Sequence, residues 1–390
     1  MEIRQLKLNE FEVSTKLSEY AFQYTMTPEQ RETSKTNFKP ERFWGIFEGE
    51  DLQAKLTILP FQVYLQGGIL NMGGIAGVAT WPENRRKGHV STLLKHALQE
   101  MKNKGQTLSF LHPFSIPFYR KFGWELYAEY KKYTIPAKNF PLKVDVPGKV
   151  TRDVTDIPTL DSMYQSFANR YNGTLVRDES WWKQSVLNEY GYSAVYYSAE
   201  GEPQGYVLYK LEGKKLVCDE FVYLNEEARS GLWTFFGNHD SRIEQVELTM
   251  VPGDDELPFI LPDPSVTQEI VPYFMARIVD LKSFIEQYPF EANKEAELTI
   301  QVKDAAAPWN DGAWKLTVDG QGRANVVQLS ATGEASFDLS ADIQTLSALF
   351  LGYKRPHALY RIHRLTGDPL KAALLESMIP AGQTLLMDFF

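Results

Sequence analysis

Gly73-Gly74-Ile75-Ala76-Gly77-Val78-Ala79-Thr80-Trp81-Pro82-Glu83-Asn84-Arg85-Arg86-Lys87-Gly88-His89-Val90-Ser91-Thr92-Leu93-Leu94 is the stretch whose reading decides the fold. Ile75 to Thr80 is short, apolar and β-prone, the end of a strand. Pro82 and Glu83-Asn84 break it. Val90, Leu93, Leu94, Ala97, Leu98 and Met101 then recur at helical spacing, and Gly105 stands as a C-cap. Between strand and helix lie Arg85-Arg86-Lys87-Gly88. The first N–H groups of a helix have no partner inside it, and the helix dipole favours an anion there. Gly88 lets the backbone come close to such an anion, and three cations supply charge for a polyphosphate. A basic turn before a helix is otherwise a solvated surface turn. Gly73, Gly74 and Gly77 weigh against that, because glycine inside a strand marks a bulge or a close backbone approach. No G-x-G-x-x-G follows a strand and no G-x-x-x-x-G-K-[ST] is present, so neither a Rossmann fingerprint nor a P-loop is supported.

Val78-Ala79-Thr80 followed by Arg85-Arg86-Lys87-Gly88 resembles the coenzyme A motif of GNAT N-acetyltransferases, R/Q-x-x-G-x-G/A. Arg85 and Gly88 fit it, and Val90 stands where Gly or Ala is usual. The basic R-R-x-G form is similar to that of the Eis-like (enhanced intracellular survival) acetyltransferases, whose length is close to this chain's 390 residues. Further on, Phe118-Tyr119-Arg120-Lys121-Phe122-Gly123-Trp124 resembles the block after the fifth GNAT strand, where the tyrosine commonly holds the general acid. On spacing alone, Tyr119 among Phe118, Phe122 and Trp124 is a core residue, and His112 before Pro113 is a hydrogen-bonded turn residue or a base.

The resemblance implies an α/β (α+β) chain of two tandem GNAT-like domains followed by a small sterol-carrier-like α+β domain. The bounds expected are 1–137 with the acetyl-CoA site, 138–285 without the cofactor motif, and 286–390. It implies acetyl-CoA as cosubstrate, held by Val78, Ala79, Thr80, Arg85, Arg86, Lys87, Gly88, His89, Val90 and Ser91, with no metal. It implies Tyr119 as general acid and the main-chain carboxylate of the final residue, Phe390, as general base. Acceptors of the family are amines of aminoglycoside-like molecules or lysine side chains of peptides, and its assembly is a homohexamer. Phe389 stands where the family has an acidic residue, which removes a contact to cationic acceptors. The competing reading is a non-enzymatic lipid-binding or scaffold protein with a relic GNAT core. The intact Arg85-Arg86-x-Gly88 and Tyr119 argue against a relic.

Composition sets wider bounds. A chain of 390 residues usually needs more than one core. The net charge of −9 argues against nucleic acid and anionic membrane as partners, and would attract a cationic substrate if the acids lined a cleft. Cys218 is the one cysteine, so no intrachain disulfide forms and a reducing, cytoplasmic compartment is expected. No apolar run reaches the ~18 residues of a membrane span. Along the chain, the patterns predict strands at Met1–Leu8, Phe43–Glu48, Leu52–Val63, Ile69–Thr80 and Thr107–Leu111, with Tyr127–Ile135 as the final strand of the first unit. They predict a helix over Arg177–Leu187, a loop over Asp254–Pro264, a strand at Ala335–Leu339 and an amphipathic helix over Ser340–Leu351. Lys354-Arg355-Pro356-His357, Arg361 and His363-Arg364 form a basic cluster, read as a solvated or interface face. Arg229-Ser230-Gly231-Leu232 is the nearest approach to a second anion motif and is expected to bind nothing.

Overall fold

The computed structural model describes residues 1–188, 190–292, 295–329 and 337–390. The first sheet has seven strands. It contains β1 (Glu2–Gln5), β2 (Phe43–Glu48), β3 (Asp51–Leu65), β4 (Gly68–Thr80), β5 (Leu108–Leu111) and β6 (Glu125–Leu126). β3 and β4 form a long hairpin turned by Gln66-Gly67, both left-handed at φ 48° and 78°. A two-residue turn with both φ positive matches the right-handed twist of the strands it joins. Three helices flank these strands: α1 (Phe11–Phe22), α2 (Pro28–Thr36) and α3 (His89–Asn103). α3 buries Leu93, Leu94, Ala97, Leu98 and Met101 against the sheet, the face its spacing predicts. Met101 seats directly on Gly73, where a Cβ would collide with its sulfur.

The strand at Tyr127–Ile135 is present but belongs elsewhere. It runs over β7 (Glu129–Pro136) and lies inside the second sheet, between Gln245–Val251 and Thr267–Pro272. In exchange, Met275–Ile278 enters the first sheet between β5 and β6. The chain crosses between the sheets twice, side by side. Tyr127 N–H donates to the carbonyl of Phe274 at 3.2 Å, and Tyr273 N–H to that of Ala128 at 3.0 Å. Alternating polarity specifies a half-buried strand but not its partner, so the sequence could not show this exchange. A bound at residue 137 therefore does not separate the two sheets.

The remaining second-sheet strands are Lys215–Tyr223, Pro203–Glu212, Tyr192–Tyr197 and Lys149–Arg152. A five-stranded sheet near the C-terminus carries the helices Leu281–Gln287, Ile343–Phe350, Pro356–Arg361 and Pro369–Met378. Local expectations are corrected in three places. Arg177–Leu187 is one α turn at Glu179–Trp181 followed by a π turn, in which Leu187 N–H reaches the carbonyl of Trp182 at 2.8 Å. Leu257–Ile260 makes a helical turn within the expected loop. Ser340 is in the strand Leu339–Asp342, and the helix starts at Ile343 because Asp342 caps it through Thr345 N–H. Of the strand expected at Ala335–Leu339, Ala335 and Ser336 lie outside the described residues.

The third domain is fused to the first through one hydrophobic cluster holding Val63, Leu65, Met72 and Phe110 together with Leu298, Leu316, Leu346 and Phe350. At that seam Arg277 is fully buried and bidentate in effect: it donates to the Phe122 carbonyl of the first domain and, at 2.5 Å, to Asp304 of the third. The basic cluster is partly spent on similar ties, with Arg364 reaching Glu125 at 3.3 Å and Arg355 reaching Glu376 at 2.7 Å. Removing one member of a buried pair leaves a charge without compensation. Arg277→Ala should accordingly lower stability by about 3–5 kcal/mol in urea unfolding, with separation of the third domain's transition from the first's. Wild-type stability in this variant would show that the seam does not depend on the pair.

Candidate active site

β4 pairs with β5 from Met72–Leu108 to Ile75–Leu111 and no further. Beyond Ile75 it is paired only with β3 among the described residues, across a register shift between Lys55 and Thr57. Gly77 sits at that bulge with φ 57°. The bulge turns the strand, so Ala76 to Thr80 keeps an open backbone edge where β4 and β5 part. Val78, Ala79 and Thr80 thus border a gap that runs toward the start of α3.

There the chain makes a turn at Pro82–Asn84, then Arg86 and Gly88 both take left-handed backbone, at φ 65° and 84°. Gly88 is the N-cap of α3. A Cβ at Gly88 would meet nothing within 4 Å. Its need for glycine is therefore the backbone angle, not crowding by protein atoms, and the space beside it is free for an anion. Arg85 and Arg86 are exposed, and no ion pair engages them among the described residues. Lys87 donates to Asn84 Oδ1 at 2.7 Å. His89 is 5 % exposed, with both ring nitrogens buried and without a hydrogen-bond partner, so its ring is turned away from the open space beside Gly88. The unpaired N–H groups at a helix start, the two positive-φ residues and the free cations fit the pyrophosphate of a CoA thioester.

The tail enters from the other side. Gln383–Thr384 pairs in parallel with Tyr171–Asn172, and Leu385, Leu386 and Met387 are buried. Asp388 is then held inside the second domain. It accepts from Arg177 Nε at 2.9 Å, Trp181 Nε1 at 2.7 Å and Tyr164 Oη at 3.3 Å. Arg177 also pairs with Glu220 at 2.5 Å, and both side chains are sealed from solvent. The Tyr273 hydroxyl donates to the Asp388 carbonyl. So anchored, the chain delivers Phe390 onto the first sheet, against Phe61 and Phe274 at 4.9 Å each between ring centroids. A Cβ on Gly74 would come within 2.7 Å of the Phe390 ring, which explains that glycine. Phe389 points outward and packs on His112, whose pKa is lowered by burial.

Tyr119 lies in α4 (Ile116–Arg120), 3 % exposed, its ring against Phe114, Phe118 and Trp124. It shares a buried cluster with Ile75 and Leu111, the last pair before β4 and β5 part. Gly74 and Ile75 face opposite sides of the sheet. Phe390 and the Tyr119 cluster therefore meet β4 from its two sides at the mouth of the gap. Burial pushes the Tyr119 hydroxyl well above the ordinary phenol range, so it stays protonated at neutral pH.

A cleft of about 1260 Å³ opens between α1, α2 and the turn Glu179–Trp181, with Phe61 and Trp181 among its lining residues. These two rings stack edge-on at 5.1 Å, with Phe390 behind Phe61. The sequence allowed an acid-lined cleft. Instead Lys39, Arg42, Lys55, Lys104, Arg177 and Lys183 line it against Asp178 among the described residues. Lys55 is 2 % exposed, donates to Ser14 O at 2.6 Å and Ser14 Oγ at 2.8 Å, and burial lowers its pKa to about 7. Lys55 and the Arg177–Asp388 pair carried no sequence signal, since each joins residues more than 40 positions apart.

A splayed sheet with an anion cradle at the following helix is the arrangement that the GNAT resemblance leads one to expect. Acetyltransferase (GNAT) domain models match residues 2–127 and 173–278, and a sterol carrier protein domain model matches 281–387. A probable N-acyltransferase from Enterococcus faecalis, of unknown function, is 32 % identical with a TM-score of 0.92, covering 100 % of this chain and 99 % of that one. The N-acetyltransferase Eis of Mycobacterium tuberculosis is 22 % identical over 76 % of this chain and 75 % of its own. Eis1 of Mycobacterium abscessus shares the fold, at 20 % identity and a TM-score of 0.82 over both whole chains. The chain belongs to the Eis-like GNAT N-acetyltransferases, with two GNAT domains and a sterol-carrier-like domain. It is an acetyltransferase, and GNAT domains use acetyl-CoA as cosubstrate.

Two measurements follow from this geometry. Arg86→Ala should weaken acetyl-CoA binding by about 1.5–3 kcal/mol, the loss of a hydrogen bond to a charged group, and Gly88→Val should weaken it through backbone strain at φ 84°. Calorimetry showing wild-type affinity in both would remove the cradle assignment. For Lys55, the folded pKa near 7 lies below the unfolded value, so the unfolded chain binds the extra proton between about pH 7 and 10.4. Wild-type stability should rise across that window relative to Lys55→Met, and a flat difference would show that Lys55 is not desolvated.

Proposed function

We propose that the protein transfers the acetyl group of acetyl-CoA directly to an amine that enters the cleft beside Phe61 and Trp181. The observation that carries this reading is the tail. A buried ion pair in the second domain holds Asp388, and two residues later Phe390 rests on β4 of the first domain where the cradle strand opens. In this reading the open edge of β4 at Val78–Thr80 orients the thioester and polarises its carbonyl through a free N–H. Arg85, Arg86, Lys87 and the main-chain N–H groups from Gly88 to Ser91 hold the pyrophosphate, and the acetyl thioester is what acetyl-CoA supplies. The main-chain carboxylate of Phe390 takes the proton of the incoming ammonium, since only the free amine attacks. Tyr119 donates a proton, or a hydrogen bond, to the leaving thiolate, whose reference pKa is roughly 8.5 by analogy with cysteine. Burial keeps the phenol protonated for that role.

The homohexamer belongs to this proposal too. Leu142, Phe259, Ile260 and Ile270 are exposed apolar residues of the second domain that such an assembly would cover. The sterol-carrier-like domain supports the enzyme reading better than carriage, because its core is continuous with that of the first domain.

Extending the chain past Phe390 by a few residues should reduce turnover by about 10²–10⁴-fold, the span for losing an acid–base group. Tyr119→Phe should act in the same direction, and acetyl-CoA affinity should hold in both. CoA release at the wild-type rate from the extended chain would place the base elsewhere, with His112, beside Phe389, the residue to test next.

A further inference from the structure

The second GNAT domain repeats the opening of the first with the charge reversed. Its strand Lys215–Tyr223 pairs in parallel with Gln245–Val251 from Lys215–Gln245 to Cys218–Leu248 and no further, much as β4 pairs with β5. Met250 then takes left-handed backbone at φ 51°, and the two strands part. The helix that follows, Glu226–Gly237, begins unlike the one at Gly88. Asn225 caps it by accepting from Ala228 N–H at 2.9 Å, and Glu226 and Glu227 stand in its first turn, where they repel an anion. The gap is a cavity of about 180 Å³, and ~150 Å³ suffices for a benzene ring. Phe167, Tyr171, Phe221, Tyr223 and Trp233 bring aromatic rings to it, and Asp254, Asp255 and Glu256 line its more exposed side. Arg229 is the one cation lining it among the described residues, and Glu226 holds that guanidinium at two points, 2.7 Å from Nε and 2.5 Å from Nη2. Lys131, close by, donates to the main-chain carbonyl of Asp255 at 3.2 Å, and Arg170 to that of Leu224 at 3.3 Å. No cation pairs with Asp254 or Glu256 among the described residues. Burial raises the pKa of the Asp255 carboxyl against the pull of Lys131 and Arg229, so these neighbours leave it undercompensated.

We infer that this cavity binds a small organic cation, an ammonium on an apolar body, with the rings packing on the body and the rim carboxylates taking the charge. Aromatic faces and carboxylates together are the chemistry that recognises such a group. The walls tie the site to the tail. Met387 lines it, one residue before the anchored Asp388, and Tyr171 lines it from the strand that pairs with Gln383–Thr384. A ligand in contact with the docked tail favours the docked state by the difference in its affinity for the two states. Occupancy therefore holds Phe390 on β4. The consequence for turnover rests on the role proposed for Phe390, whereas the binding does not.

The test is calorimetry of choline against 3,3-dimethylbutan-1-ol, its uncharged isostere, on the whole protein without acetyl-CoA. Choline should bind roughly 10-fold more tightly than the alcohol, as a desolvated cation among aromatic rings does. Asp254→Asn and Asp255→Asn should each bring that ratio toward one, with acetyl-CoA affinity unchanged. Amide hydrogen exchange over residues 383–390 should slow when choline is bound. The wild-type ratio does not depend on whether a variant folds. Choline that binds no more tightly than the alcohol, or a preference that both substitutions leave intact, overturns the site. Choline binding with no slowing of exchange in the tail overturns the coupling. Slower exchange together with full turnover in a chain extended past Phe390 places the failure in the role of Phe390 and leaves the site standing.

Discussion

The architecture depends on one sealed ion-pair cluster, Arg177 between Asp388 and Glu220. An isolated charge at this depth would be strongly penalised. The cluster tolerates burial because nearly every polar atom has a partner: Trp181 and Tyr164 complete Asp388, and Tyr206 Oη completes Glu220 at 2.6 Å. The guanidinium also lies 3.8 Å over the Tyr164 ring. Such a network adds little net stability over an apolar core of equal volume, but it admits one register of the tail. A slip of one residue would place Met387 or Phe389 at the arginine. A fixed register is what the role proposed for the Phe390 carboxylate requires.

In the proposed mechanism the three domains serve one site. The first sheet supplies the open strand and the cradle. The second grips the tail and walls the cleft. The third, joined to the first through Arg277 and a shared hydrophobic cluster, launches the tail from its last helix, Pro369–Met378, toward the strand at Tyr171–Asn172. The crossed strands at Tyr127–Ala128 and Tyr273–Phe274 lock the two sheets at the point where the tail passes. Tyr273 takes part in both, pairing with Ala128 and holding the Asp388 carbonyl.

Much of the first domain was legible because its signals are local. The strand–turn–helix around Arg85 to Gly88 is read from periodicity and from glycines with physical reasons: Gly73 for the seat of α3, Gly77 for the bulge, Gly88 for a left-handed angle. Gly74 was legible as a close approach but not by what, since its neighbour is Phe390. The strand exchange was illegible because period two does not name a partner. The π turn after Trp181 was hidden because its cause is tertiary: Trp182 is held by Asp161 at 2.8 Å, and Trp181 by Asp388. The cations that line the cleft were not legible because net charge averages over the surface, whereas Lys39 and Arg42, Lys55, and Lys104 come from three separate segments.

The most direct measurement is the turnover and acetyl-CoA affinity of Asp388→Asn, which keeps the shape of the side chain but removes the charge that Arg177 grips. If the buried pair sets the place of Phe390, turnover should fall by about 10²-fold, the effect of a small misplacement at the reacting groups, with acetyl-CoA affinity unchanged because the cradle lies in the first domain. Wild-type turnover in a folded Asp388→Asn protein would contradict the dependence of the site on this anchor.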